Sequence, residues 1–373
     1  MMFMEHTGAG MKRGGRVPIL GLLAFAFVFL SACSPFYVVR AAYEQGRILA
    51  GRRAIEDVIN DQDTSEVDRQ KLKLVLAARA YASEIGLTPG NSFTSYSDVG
   101  KEALAWVVVG ARKDSFALHT WWFPIVGTVP YKGFFDKADA DAEARSLERS
   151  GYEASVRDTD AFSTLGWFDD PILSTTLQSP PTRIANTVIH ESVHATVWIK
   201  NNVAFNESLA NFVGTQATVD FFAQRLRSCI EGKVEGCDVA RAREQAVLTD
   251  RERMFELATT VSELYKALDS LYKDPALASE EKIARRGAVF EAIVQPLRVR
   301  YPSLSILKQV HNAEVVQLML YTTELGNFRA LFEQCKGDWR AFMNEIRAIA
   351  KEVEQGGSVD PFVVLRKKTG GSV

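Results

Sequence analysis

Hydrophobic and polar positions divide the chain into three stretches of different periodicity. From Phe36, FYVVRAAYEQGRILAGRRAIEDVI carries apolar residues three and four apart, the spacing of an amphipathic helix. A second helix is expected from about Ser65 to Ile85, stopped by Gly86 and Pro89. Between Ser92 and Phe135 the pattern changes to aromatic and β-branched runs broken by Gly and Pro, which read as strands. DKADADAEARSLERSG (136–151) is an amphipathic helix with a glycine stop, and YEASVRDTDAFSTLGW returns to strand, so a small mixed sheet is expected. Everything after Pro181 reads as helix, with Thr182 a candidate cap, Pro275 ending one long helix and Ser279 capping the next. Two further helices fall near AEVVQLMLYTTE and GDWRAFMNEIRAIAKEV. EQGGSVDPFVVLRKKTGGSV is weakly patterned and is expected to fray.

The extreme N-terminus has a different pattern again. MKRGGR from Met11 is followed by an unbroken apolar run, Val17 to Leu30, too short for a comfortable membrane span but of the length of a signal-peptide core. Leu30-Ser31-Ala32-Cys33 resembles a bacterial lipobox, in which the cysteine is acylated and becomes the first mature residue. That resemblance implies a lipid anchor at Cys33 and a membrane-anchored protein facing the periplasm. Serine, not aspartate, at position 34 leans towards the outer membrane. The expected organisation is a signal peptide over 1–32 and one domain over 33–373. Within it, 33–91 is helical, 92–180 forms the mixed sheet, 181–354 is helical and carries the chemistry, and 355–373 is a tail.

Composition narrows the classes. A hydrophobic content of 47% against 24% charge supports a sizeable core, and a net charge of −2 provides no broad basic field for nucleic acid. Of the four cysteines, Cys229 and Cys237 flank a short loop that a disulfide could close in an oxidising compartment; unpaired thiols are the alternative.

The chemistry concentrates in VIHESVHATVWIKNNVAFNESLANFVG (188–214). Residues four apart on a helix lie one above the other, so His190 and His194 present two imidazoles on one face. Glu191 is rotated by about 100°, off the metal but near enough to serve a reacting water. KNNVA makes a short polar turn that lets a second helix double back and aim Glu207 at the two rings. Asn211 and Gly214 follow on the same face, Asn211 as a candidate to orient a histidine and Gly214 as a site of close helix approach. Asp220 is the other candidate third ligand, although it lies beyond the turn. Two imidazoles, one carboxylate and an open position suit a catalytic Zn2+ with Glu191 as base; a structural helix pair with these letters by chance is the ordinary alternative. Tyr131 and Tyr321 are candidates for a hydroxyl that stabilises an oxyanion, with plain core tyrosine as the alternative for each. His119 is expected to be packed among aromatics. His311 sits at an expected helix start, and Asp169-Asp170 fall either in a substrate groove or in a solvated turn.

HESVH followed by NESLA resembles the glutamate-ligand zincin metallopeptidases, the gluzincins. The resemblance is closer still to the putative aminopeptidase family of bacterial lipoproteins, through VPYKGFFDKADA, STLGWFDDPILST, IHESVH and FNESLANFVG. It implies an α+β, zincin-like fold, mostly helical, with a small mixed sheet over the active-site helix whose edge strand binds peptide. It also implies His190, His194 and Glu207 as zinc ligands and Glu191 as base. Many gluzincins carry aspartate where Asn211 stands, and the GxMEN stretch that grips a free amine in one aminopeptidase family is absent. The expected function is zinc-dependent peptide hydrolysis in the cell envelope, of the aminopeptidase type that the resemblance implies. The alternative is a non-catalytic zincin-like lipoprotein that binds an envelope partner.

Overall fold

The computed structural model describes residues 43–44, 46–100, 105–123, 127–159, 169–232, 236–302, 304, 311–356 and 359–371. The signal-like run, Cys33 and residues 160–168, the end of the expected strand, lie outside these residues. Among the described residues, no helix is long and apolar enough to cross a membrane.

The molecule is mostly helical, with small sheets, and is α+β as expected. The first expected helix is interrupted: residues 46–50 are helical, but Arg53–Ala54 forms β1, and α1 (Ile55–Asn60) follows. The break falls at Gly51, where a Cβ would meet the Arg47 carbonyl and Ser97 Oγ, each at 3.3 Å. α2 (Glu66–Glu84) begins at a true cap, with Ser65 Oγ accepting from the Asp68 N–H at 3.1 Å.

The expected single mixed sheet is in fact divided. β1, β2 (Ser95–Ser97) and β8 (Ile172–Leu173) form a small mixed sheet, with β1–β2 antiparallel and β2–β8 parallel. β3 (Ala105–Arg112) is the centre of a second sheet of order β6-β3-β7, antiparallel throughout, with β6 at Lys132–Phe134 and β7 at Tyr152–Thr159. β4 (Trp121–Phe123) and β5 (Gly127–Val129) pair as a hairpin beside it. The sheet is covered on both faces. Val108, with Trp106, Phe134 and Val156, packs on α3 (Lys137–Arg149) through Ala140, Ala144 and Leu147. Val107, Val109 and Ala111 point the other way, towards Ala313.

α4 (Ser174–Leu177) leads into α5 (Pro181–Thr196), which starts on proline with no side-chain cap. Thr182 is therefore inside the helix and is not its cap; proline at the first turn needs no N–H there. α6 (Val203–Ile230), α7 (Cys237–Lys273), α8 (Ser279–Arg300) and α9 (Asn312–Thr322) complete the helical body. A disulfide joins Cys229 to Cys237 across the α6–α7 turn, with Cα atoms 5.5 Å apart. Ser279 caps nothing; its hydroxyl donates to Asp114 Oδ2 at 2.6 Å and ties α8 to the sheet.

α10 (Leu325–Gln334), α11 (Trp339–Gly356) and α12 (Pro361–Thr369) close the chain. The expected fraying tail is corrected here. Asp360 accepts from the Phe362 N–H at 2.9 Å, Val364 and Leu365 are buried, and Phe362 packs edge-on to Phe205. These short helices wrap an aromatic cluster of Phe205, Phe212, Phe328, Phe332, Trp339 and Phe342 around the first half of α6. Phe212 is fully buried among four of those rings, so Phe212→Ala is expected to lower unfolding free energy by about 3–5 kcal/mol in urea titration.

Candidate metal centre and cleft

α5 and α6 are joined by a short turn and lie against each other. Asn201 takes a left-handed conformation (φ 64°) in that turn, which asparagine tolerates better than most residues. Asn206, almost wholly buried, clamps the turn from the far side. Its Oδ1 accepts from the Ile199 N–H at 2.9 Å and its Nδ2 donates to the Ile199 carbonyl at 2.8 Å. The helices close up at Gly214, where a Cβ would lie 3.2 Å from His190 Cβ. This is the close approach expected of Gly214.

The pairing brings three side chains together. His190 Nε2 and His194 Nε2 are 3.2 Å apart, and Glu207 Oε2 is 3.6 Å from each. His194 is almost fully buried and touches Trp198 edge-on, with centroids 5.5 Å apart. Burial alone would depress the His190 pKa, but the Glu207 carboxylate, the charge of Glu191 and a hydrogen bond to the Ala210 backbone outweigh it and hold the ring above its usual value. Burial would raise Glu207, yet the two histidines hold it down at about 2. The carboxylate is thus ionised across the neutral range.

These residues fit a divalent cation. Two imidazole nitrogens and one carboxylate oxygen converge within 4.8 Å of one another, a donor set suited to zinc with a coordination position to spare. Glu191 Oε2 is buried without a hydrogen-bond partner, a carboxylate left ready for a proton. Asp220, the other candidate ligand, is elsewhere; it accepts from Trp339 Nε1 at 2.9 Å and from Gln216.

Asn211 does not contact an imidazole. Its Nδ2 donates to the Tyr321 carbonyl at 2.7 Å, and Ser208 Oγ donates to the Leu320 carbonyl at 3.0 Å while accepting from the Thr323 N–H. The helix bearing Glu207 therefore holds the end of α9 that bears Tyr321. His194 Nδ1 is buried and unpartnered, whereas His190 uses the Ala210 backbone.

Tyr131 and Tyr321 both face this region and are partly exposed. Burial, the Glu207 and Glu191 charges and each other's company push the Tyr321 phenol up, while burial and Glu207 do the same to Tyr131. Tyr131 immediately precedes the edge strand β6. Its neighbour Lys132 points to the opposite face, towards Glu143 at 3.3 Å.

The remaining candidates lie away from the triad. His119 packs edge-on against Trp121 and Tyr152. His311 caps the end of α9 remote from Tyr321. Asp170 is buried, and its backbone bonds Phe93 and Ser92, so the Asp169-Asp170 pair secures the small sheet.

Three residues that shape the site carry no motif of their own. Asn206, Ser208 and Asn312 act through hydrogen bonds to backbone. Asn312 is fully buried. Its side chain accepts from Tyr272 Oη and donates to the Arg112 carbonyl, and its N–H donates to Glu153, fixing α9 on the sheet. Asn206 and Ser208, which flank Glu207, sit where a sequence signal could have marked them.

A protein-family model described as putative aminopeptidase matches residues 36–356. No curated protein and no solved structure matches the chain significantly.

The helix contact yields a test of the centre. Gly214→Val is expected to push α6 from His190 and weaken zinc binding at least about tenfold, with helical content retained by circular dichroism. Because His190 is held protonated above its ordinary pKa without metal, zinc uptake in the unmodified protein should release protons. Apparent affinity should then fall as pH drops through the histidine range, as read by calorimetry in two buffers.

Proposed function

The chain belongs to the putative aminopeptidase family over residues 36–356, and on that footing we propose that it is a zinc-dependent peptidase. The observation that carries the zinc is the convergence of His190, His194 and Glu207 from two packed helices. A zincin-like arrangement, an active-site helix beneath a small sheet, agrees with Tyr131, next to β6, lying close enough to Glu207 for that charge to act on its phenol.

Bound to these three side chains, zinc would act as a Lewis acid that polarises a peptide carbonyl and acidifies water. Glu191, buried and without a hydrogen-bond partner on Oε2, takes the proton of the attacking water and passes it to the departing amine nitrogen. Tyr321 donates its hydroxyl hydrogen bond to the oxyanion; a phenol kept neutral by burial and neighbouring carboxylates retains that proton at working pH. Tyr131 stands opposite as the second candidate donor. Asn211 and Ser208 keep Tyr321 in register with Glu207, since all three belong to one hydrogen-bonded joint.

The cellular setting is part of the same proposal. Acylation at Cys33 would hold the protein on a membrane facing the periplasm, on the outer membrane given Ser34, and the Cys229–Cys237 bridge suits an oxidising compartment.

Glu191→Gln separates catalysis from metal binding. It is expected to retain one zinc per chain and lose about 10²–10⁴-fold in kcat/KM on a mixed peptide library. Unchanged hydrolysis overturns the role of Glu191 as base, and an unmodified zinc-loaded protein that cleaves no peptide overturns the proposal and leaves the non-catalytic envelope binder. Tyr321→Phe should lower kcat by about 10²-fold with little change in KM, measured on the best peptide of that library.

A further inference from the structure

One face of the antiparallel sheet carries polar groups that the proposed mechanism does not use. Cross-strand partners share a face, so Arg157 on β7, opposite Val107, points with Val107 towards α9. There its Nη2 meets Glu314 Oε1 at 2.6 Å, an ion pair between sheet and helix that is largely shielded from solvent. That is the one hydrogen bond the guanidinium makes among the described residues; its other donors are uncommitted.

Glu314, Gln317 and Tyr321 follow one another at three- and four-residue spacing and form a stripe along α9. Gln317 lies midway. Its Oε1 is buried and has no hydrogen-bond partner, an unusual condition for an amide. The stripe thus runs from the phenol beside Glu207, past an unmet acceptor, to a cation. Arg157 is close enough to Tyr321 for its charge to act on the phenol.

We infer that Arg157, steadied by Glu314, receives a carboxylate of the peptide substrate. This rests on the peptidase reading. Glu314 and Tyr321 are seven residues apart, about 10 Å along the helix axis, which an extended peptide covers in about three residues. The substrates selected are therefore short peptides whose carboxylate follows the scissile bond closely. The carboxylate belongs either to the C-terminus or to an acidic side chain.

The experiment compares trialanine, trialanine amide and Ala-Ala-Asp amide on the zinc-loaded full chain. Trialanine should exceed its amide at least about tenfold in kcat/KM, as a charge-assisted contact implies. A preference of Ala-Ala-Asp amide over trialanine amide assigns the contact to side-chain carboxylates as well. Arg157→Gln should bring the ratios to near one, Arg157→Lys should restore part of them, and Glu314→Gln should keep the preference because the cation remains. Equal hydrolysis of acid and amide by the unmodified protein overturns the inference. So does an equal loss on every peptide in both Arg157→Gln and Glu314→Gln, the mark of a purely structural ion pair. Calorimetric binding of the same peptides to Glu191→Gln, with and without Arg157→Gln, reads the preference without turnover. Carboxylate-dependent binding, together with an unmodified protein that hydrolyses none of the peptides, defeats the peptidase reading alone. Equal binding of acid and amide defeats this one.

Discussion

Everything at the centre of this molecule depends on how closely α5 and α6 approach. A helix can present two imidazoles by itself, because four-residue spacing stacks them. It cannot supply the third donor in the same place without a partner backbone at contact distance. Gly214 allows that contact over His190, and the Asn201 turn with the Asn206 clamp returns the chain so that Glu207 arrives one turn into α6. The electrostatics follow from the packing. With Glu207 at 3.6 Å from two ring nitrogens and largely out of water, the histidines hold its pKa down and its charge raises that of His190.

The proposed peptide hydrolysis also demands a donor for developing charge across from the triad. Tyr321 comes from α9, more than a hundred residues later in the chain. Its place is set by both of its neighbours: Ser208 and Asn211 grip its end of the helix, while Asn312 and Glu153 hold the other end on the sheet. α9 therefore couples the helix that bears Glu207 to the sheet. Each bond in this chain links a side chain to backbone, so it constrains position more than it constrains residue type elsewhere.

The parts of this arrangement that were legible in the sequence are those with a local period. HESVH is helical because its apolar neighbours repeat at helical spacing, and its two imidazoles align by helix geometry alone. The polar turn, Glu207 and Gly214 could be read because the second helix follows at once. Long-range pairings were not legible. The division into two sheets depends on β2 choosing β8 as a parallel partner across 75 residues, for which no periodicity exists. Asn211 was expected on a histidine because it is one turn from the ligand; its real acceptor, the Tyr321 carbonyl, is set by tertiary packing. The weak pattern around Pro361–Thr369 predicts fraying, yet the Asp360-Pro361 start and the burial of Val364 and Leu365 suffice once Phe205 offers a surface to Phe362.

The central claim is that one divalent ion is shared by a ligand pair on α5 and a carboxylate on α6. X-ray absorption at the zinc edge on the zinc-loaded full chain tests it most directly. The account predicts one zinc per chain with a first coordination sphere of nitrogen and oxygen only, at about 2.0–2.1 Å, containing two imidazoles and losing one oxygen in Glu207→Ala. Sulfur in that sphere, a single imidazole, or a spectrum unchanged by Glu207→Ala would contradict it.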